Sequence, residues 1–459
     1  MAAVIAYFVA VLCVGVWSKK AARGEEAFFV AGRRGGSLLV TGSLVATIVG
    51  GSATVGVAGL GFTYGLAGAW WLLVGGVGLL ALSVLAPRIR KFALYTLPEL
   101  VERQYDARVG LAAAALIVVA WTGIVAGQIV AVGKLLAVVG TGSVTLWMVI
   151  FTLVFLAYAM LGGQQSVMRT DVVQASVFLA GIAVALVSMW GLTGGIEGWR
   201  GSLPEHHFSF PLSGEFGCKQ LLSFFLLVGS AYVVGPDMYT RVFSARDGGV
   251  ARRSAVVAAL FVCVFAFVMA LIGMAARVLY PDVAPEQCLP YVIERALPPG
   301  LDVVVLVALV AALMSSADTC VLGQSVVLAQ DILRRLRPGV GQRIVMVTRL
   351  STVGLGLVGL CLALVLQGVI SSLMFAYTVF TCGLVVPVVA GLFKDRLRVT
   401  SGGALSALIG GGGLGLLSKL PLGIGGGEDL GLVAFGASAA LLFGVSLIQR
   451  GQKGGGAMV

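Results

Sequence analysis

Charge is what this sequence has least of. Only 11% of its 459 residues are charged, against roughly 25% in water-soluble domains, and no segment is polar for long enough to fold separately in water. Histidine occurs only at positions 206 and 207. Two adjacent histidines without ligand spacing around them do not build a metal cluster. The 7 cysteines include no CxxC pair, which removes the usual zinc and redox motifs. Cys13, Cys263, Cys320, Cys361 and Cys382 lie inside apolar runs as packing residues. Cys218 and Cys288 fall in loops expected outside, where a disulfide and two free thiols are both admissible. No nucleophile is paired with a base, so an enzyme and its cofactor are not expected. No repeated charged ring or carbonyl filter marks a channel.

Apolar sequence fills the space that charge leaves. The chain is 59% hydrophobic, with a mean hydropathy of +1.03. A bilayer-spanning helix needs about 20 mostly apolar residues, and such runs fall near 2–17, 37–61, 66–86, 110–137, 144–161, 171–193, 220–240, 254–276, 301–330, 344–366, 371–393, 402–418 and 431–449. The expected class is an all-α polytopic membrane protein of about thirteen spans. Two stretches are amphipathic and read as interfacial helices, Pro87 to Arg108 and the tail of the ninth span, Asp331 to Arg337.

The net charge of +11 does not indicate a nucleic-acid partner, because the basic residues sit in short loops beside apolar runs. No basic residue precedes the first run, whereas Lys19, Lys20 and Arg23 follow it, so the N-terminus is placed outside. All but six of the 31 Lys and Arg residues then fall in cytoplasmic loops; the six are Lys134, Arg200, Lys219, Arg277, Arg295 and Lys419. That bias implies a multi-pass protein of the cell membrane with a cytoplasmic C-terminus.

Two spans carry interruptions. The second has Val49-Gly50-Gly51-Ser52-Ala53-Thr54-Val55-Gly56 at its middle, and the seventh reads Val228-Gly229-Ser230-Ala231-Tyr232-Val233-Val234-Gly235-Pro236. Proline removes a backbone donor and glycine loosens the turn. Backbone released inside a membrane persists only where protein or a wet cavity satisfies it. Breaks opening two matching five-span halves point to a transporter of inverted repeats, and the alternative is glycine packing plus one proline kink. In the ninth span, Ala312, Ser315, Ser316 and Thr319 share one helical face beside Asp318. Hydroxyls and freed carbonyls suit a hard cation, although hydroxyls bonded back to their own helix and an aspartate at a wet crevice fit equally well.

The ordered set of motifs resembles the sodium:solute symporter family over most of the chain. It comprises Phe28-Phe29-Val30-Ala31-Gly32-Arg33; Ser43-Leu44-Val45-Ala46 with Gly56, Gly61, Tyr64 and Gly65; and Leu97-Pro98-Glu99. Then come Tyr158, Gly162-Gly163, Val167 and Thr170-Asp171 with Gln174; Pro236 with Arg241; Met314-Ser315-Ser316-Ala317-Asp318; and Asp331. The resemblance implies a fold like that of the bacterial leucine transporter. Its inverted repeats would occupy 37–193 and 220–393, with 194–219 an extracytoplasmic loop, 1–36 an extra N-terminal span and loop, and 394–459 two further spans and a tail.

By the same resemblance a sodium ion is held by Ala46, Val49, Ala312, Ser315 and Ser316, and a second cation site would use Asp171, Asp318 and Thr319. Ser52, Ala53, Trp71, Gln128, Gly235 and Thr378 would border the solute. Sugar-transporting relatives carry Gln, Glu, Asn and Gln where this chain has Ala53, Leu72, Gly235 and Val379, so an amino acid or small carboxylate is favoured over a sugar. Secondary active sodium symport by alternating access is therefore expected. The second class is a membrane sensor with the same fold, which would act through a separate signalling partner.

Overall fold

The computed structural model describes residues 2–18, 29–92, 94–140, 142–160, 164–419 and 427–455. Lys19, Lys20, Arg23, Phe28, Gly162 and Gly163 lie outside the described residues. Those described form helices with no β-strand among them, apart from one isolated bridge between Gly35 and Ala245.

Each expected span coincides with a helix or a broken pair. The first is α1 (Ala2–Ser18). The second divides into α2 (Ser37–Ile48) and α3 (Val57–Tyr64), joined by a widened turn at Ser52–Gly56. The third is α4 (Trp70–Lys91), followed by a short helix α5 (Leu97–Gln104) and by α6 (Ala107–Val139). Next come α7 (Val144–Ala159) and α8 (Gln164–Leu192). The seventh span ends in α9 (Ser230–Val234) and α10 (Pro236–Ser244). After α11 (Gly248–Leu279) and the short α12 (Cys288–Arg295), the ninth span is α13 (Leu301–Val327). The chain closes with α14 (Ile344–Leu366), α15 (Val369–Phe380), α16 (Val386–Leu392), α17 (Ser401–Leu417) and α18 (Gly427–Gly455). Among the described residues, nine helical stretches are long and apolar enough to cross a membrane.

Two expectations are corrected. Pro87 to Arg108 is not one interfacial segment: α4 continues through Pro87 to Lys91, and only α5 stands apart. The composition turns basic at Arg88 before the helix ends, because Arg88, Arg90 and Lys91 in its last turn complement the negative end of the helix dipole. The third span begins at Trp70 instead of Leu66, since Gly65 takes φ +64° and opens a 3-10 turn. A Cβ at Gly65 would lie 2.1 Å from the His207 carbonyl, so the turn and the loop above it admit only glycine.

Polar residues set the helix starts. Thr96 accepts from the Glu99 amide at 3.2 Å, Asp106 from Arg108 and Val109, Asp247 from Val250, and Thr400 from Gly403. His207 is buried against α3, with Nε2 3.1 Å from the Phe62 carbonyl, and burial holds its pKa below the ordinary value. All seven cysteines are free thiols, Cys288 buried and Cys218 exposed, so these two are unpaired.

Packing separates centre from rim. α2 contacts α8, α11 and α13, while α13 also meets α6, α8 and α14. Of the most apolar stretch of Leu301–Leu336, 83% is buried within the protein, against 22% for Gly339–Leu366. The ninth span and Val369–Leu392, 89% buried, thus lie at the centre, and α14 lies at the rim, facing the surroundings that lipid would fill.

Candidate functional site

The first break is built by diverted backbone donors. Val49 has φ −75° and ψ 68°, outside the helical region, so the Gly50 amide turns back to the Ile48 carbonyl at 2.8 Å. The Gly51 amide is taken by Oε1 of Gln128 at 2.6 Å. In an unbroken helix those two amides would serve the carbonyls of Ala46 and Thr47. Both carbonyls are instead met by the Ser316 hydroxyl of α13, at 3.2 and 3.3 Å. Glycine is needed for this approach: a Cβ on Gly50 would lie 2.6 Å from Ser316 Oγ and 2.9 Å from Gln128 Nε2.

The next residue on α13 faces a different cluster. The Ser315 hydroxyl donates to one oxygen of Asp171, whose other oxygen accepts from Ser43 at 2.7 Å. Arg241 of α10 donates to Ser43 at 3.2 Å and to Thr319 at 2.7 Å, and its guanidinium lies 3.7 Å from Asp171. Every member is buried. A buried carboxylate and guanidinium persist only when paired and hydrogen-bonded, as here. Asp318 stands apart, buried with Oδ1 unpartnered among the described residues.

The structure therefore brings Ala46 and Ser316 together, with Val49 at the bend. Ala312 is buried one turn earlier on α13. Ser315 points its proton to Asp171, which leaves its oxygen lone pairs able to meet a cation. Of the second expected set, Asp171 and Thr319 share Arg241 and Asp318 joins neither by a hydrogen bond.

Among the solute candidates, Gln128 is committed to the first break, and Ser52 and Ala53 are buried just beyond it. Gly235 forms the second break with φ −56° and ψ 131°, so that Pro236 starts α10. Trp71 packs edge-on to Phe224 at 5.2 Å and against Tyr377 at 6.1 Å. Thr378 turns its methyl group towards Gly431 of α18, on the flank of the two C-terminal helices. Between the second break and α15, a pocket of ≈ 10 Å³ is lined by Trp121, Ala231, Tyr232, Asp237, Met238 and Tyr377. That is room for about one water.

Residues 28–411 match the sodium:solute symporter family. The chain belongs to that family. The symporter is 26% identical over 431 residues to the sodium/pantothenate symporter of Escherichia coli (strain K12), covering 89% of this chain and 88% of that one. It is 27% identical over 400 residues to sodium/glucose cotransporter 4 of Danio rerio, covering 76% of this chain and 60% of that protein. A Na+-coupled sialic acid symporter in a substrate-bound outward-open state matches with a TM-score of 0.80 at 18% identity, over 97% of each chain. Mhp1, a nucleobase-cation-symport-1 family transporter in a closed conformation, matches with a TM-score of 0.60 at 14% identity, over 92% of this chain and 94% of its own. At such identities these structures speak to fold, that of leucine-transporter-like proteins. Membership of the family makes the protein a sodium-coupled secondary transporter working by alternating access, and not an enzyme.

Sequence reasoning about the symporter did not single out Ser43, Tyr232, Asp237, Arg241 and Tyr377, which the structure brings to the candidate site. Ser43 and Arg241 stood in the quoted motifs, and a lone arginine beside a proline-broken span was a signal in itself. Asp237, in the first turn after Gly235-Pro236, could have been found as an acidic residue beside a helix break. The tyrosines carried no signal, because a tyrosine in an apolar run is indistinguishable from core.

Proposed function

We propose that the symporter couples one sodium ion to the inward movement of a small organic carboxylate or amino acid. The observation that carries this reading is the meeting of Ser316 with the Ala46 and Thr47 carbonyls released by the first break. Sodium would displace the hydroxyl proton from those carbonyls and gather neutral oxygens from Ala46, Val49, Ala312, Ser315 and Ser316. Arg241 favours a single ion, since its guanidinium already supplies a cation to Asp171 and Thr319.

For the solute, the centre offers few side-chain partners to sugar hydroxyls: Ala53, Leu72 and Val379 are apolar and fully buried. Broken helices present backbone donors that suit a carboxylate, and the E. coli relative is named for pantothenate, itself a carboxylate. The repeats at 37–193 and 220–393, thirteen crossings and an external N-terminus complete the reading, supported by the one-sided distribution of Lys and Arg.

The test is a thermal-stability screen of the purified protein against amino acids, monocarboxylates, pantothenate and sugars, with sodium or potassium. A carboxylate that stabilises only with sodium, with a Hill coefficient for sodium of about 1, is the expected result. Stabilisation by glucose or inositol alone would overturn the solute class, and a Hill coefficient near 2 the single ion.

A further inference from the structure

We infer that the cleft between the basic end of α4, the short helix α5 and the segment after α16 is a binding site for the phosphodiester headgroup of an anionic phospholipid. The cleft has a volume of ≈ 750 Å³ and is lined by Arg88, Lys91, Arg103, Lys394 and Arg396. Asp395 is the one carboxylate among its lining residues. No carboxylate among the described residues lies within ion-pair distance of Arg88, Lys91, Arg103 or Arg396. The Arg88 guanidinium rests over the Phe393 ring, 5.6 Å from its centroid, and Lys394 donates to the Gln104 carbonyl at 2.7 Å. Aromatic and backbone contacts hold these cations in place without neutralising them.

A second observation points to a ligand. Gln104 lines the same cleft and is 7% exposed, yet neither Nε2 nor Oε1 of its side chain has a hydrogen-bond partner. Gly391 opposite leaves room for that amide, since a Cβ there would come within 2.3 Å of Gln104 Oε1. An amide buried without partners costs about 1–3 kcal/mol. A phosphodiester oxygen would accept from Nε2, and a headgroup hydroxyl would donate to Oε1. Guanidinium groups suit the phosphate because their planar forks match its oxygens.

The source of the phosphate follows from α4. Val77, Leu80 and Val84 are 46%, 41% and 70% exposed, and Arg88 and Lys91 continue their row at helical spacing. An apolar stripe that ends in unpaired arginine and lysine is the outline of a phospholipid: acyl chain along the helix, headgroup in the cleft. A free phosphate would use the cleft and ignore the stripe.

The experiment uses the full-length protein in detergent, with phosphatidylglycerol, phosphatidylcholine or inorganic phosphate as probe, read by native mass spectrometry and by melting temperature. Phosphatidylglycerol is expected to be retained and to raise the melting temperature, with phosphatidylcholine and inorganic phosphate doing neither. The exposed pair R88Q/R396Q should weaken retention roughly 25-fold, the product of about fivefold for each surface cation. Q104L, which removes the unpartnered amide, should lose the preference for phosphatidylglycerol while melting no lower than wild type without lipid. Equal retention of both lipids, or retention unchanged in both variants, overturns the inference. Stabilisation by inorganic phosphate equal to that by phosphatidylglycerol reassigns the cleft to a soluble anion. None of these readings depends on transport, so failure here leaves the sodium site standing, and failure there leaves this one.

Discussion

Replacing Ser316 with alanine separates an ion ligand from a structural hydroxyl. Ser316 meets the Ala46 and Thr47 carbonyls at 3.2 and 3.3 Å, one proton shared by two acceptors at long range. A neutral hydrogen bond of that kind contributes about 0.5–1.5 kcal/mol, whereas an oxygen facing an ion contributes about 1.5–3 kcal/mol. The substitution removes the smaller quantity from the empty state and the larger one from the loaded state. The difference, about 1–1.5 kcal/mol when low end is set against low end and high against high, raises half-saturating sodium roughly 5- to 12-fold. Maximal uptake at saturating sodium should stay close to wild type. The assay is solute uptake into proteoliposomes across a sodium series, with Ser325→Ala as control. Ser325 is buried lower on α13 and donates to the Val321 carbonyl of its own helix at 2.5 Å, so its loss should leave the sodium curve in place. A Ser316→Ala protein with lowered melting temperature and an unshifted sodium curve would refute the argument, because the hydroxyl would then act only as a strut.

Gly50→Ala forces a methyl group to within 2.6 Å of Ser316 Oγ and should abolish sodium-dependent uptake, whereas Gly413→Ala, with nothing within 4 Å, should not. Arg241→Gln strands the buried Asp171 and should destabilise the protein by about 3–5 kcal/mol; adding Asp171→Asn should recover part of that loss in a thermal melt. Glu286 accepts from the Val369 and Ile370 amides at 3.1 Å and pairs with Lys134, tying α6 to the first turn of α15. Glu286→Ala should cost about 1–2 kcal/mol through the lost charge at a helix N-terminus, and a melt unchanged from wild type would show that the tie carries no weight.

Element positions were largely legible, because a bilayer-facing helix announces itself in apolar runs and its ends in basic loops. Gly50-Gly51 and Gly235-Pro236 were legible as breaks for the same local reason: each removes or relaxes backbone within its own turn. What the sequence could not show was the orientation of neighbouring side chains. Ser315 and Ser316 are adjacent and chemically identical, yet one reaches Asp171 and the other the carbonyls of Ala46 and Thr47. Periodicity places both on α13 but does not say which partner lies about 100° around the helix. Nor could the sequence show that the Thr378 methyl group turns towards Gly431, since α15 is buried on several sides and apolar pattern gives it no inward face.

That divergence at Ser315 and Ser316 bears on coupling. Ser316 holds the first break, whereas Ser315 leads through Asp171 to Arg241 on α10, the helix that starts at the second break. A ligand shifts a conformational equilibrium only by binding two states unequally. Sodium bound at the first break, as proposed, would alter what Ser316 donates to, and any rotation of α13 that improves its coordination must also move Ser315 against Asp171. The two breaks are thus joined by one rigid helix with adjacent hydroxyls, a contiguous path of buried hydrogen bonds instead of mere proximity. If that path carries the coupling, Ser315→Ala should weaken sodium binding to the purified protein as loss of one proposed ligand does and, unlike Ser316→Ala, should also weaken the sodium dependence of solute binding when sodium is saturating. Full sodium dependence of solute binding in Ser315→Ala at saturating sodium would refute the path and leave Ser315 as an ion ligand only.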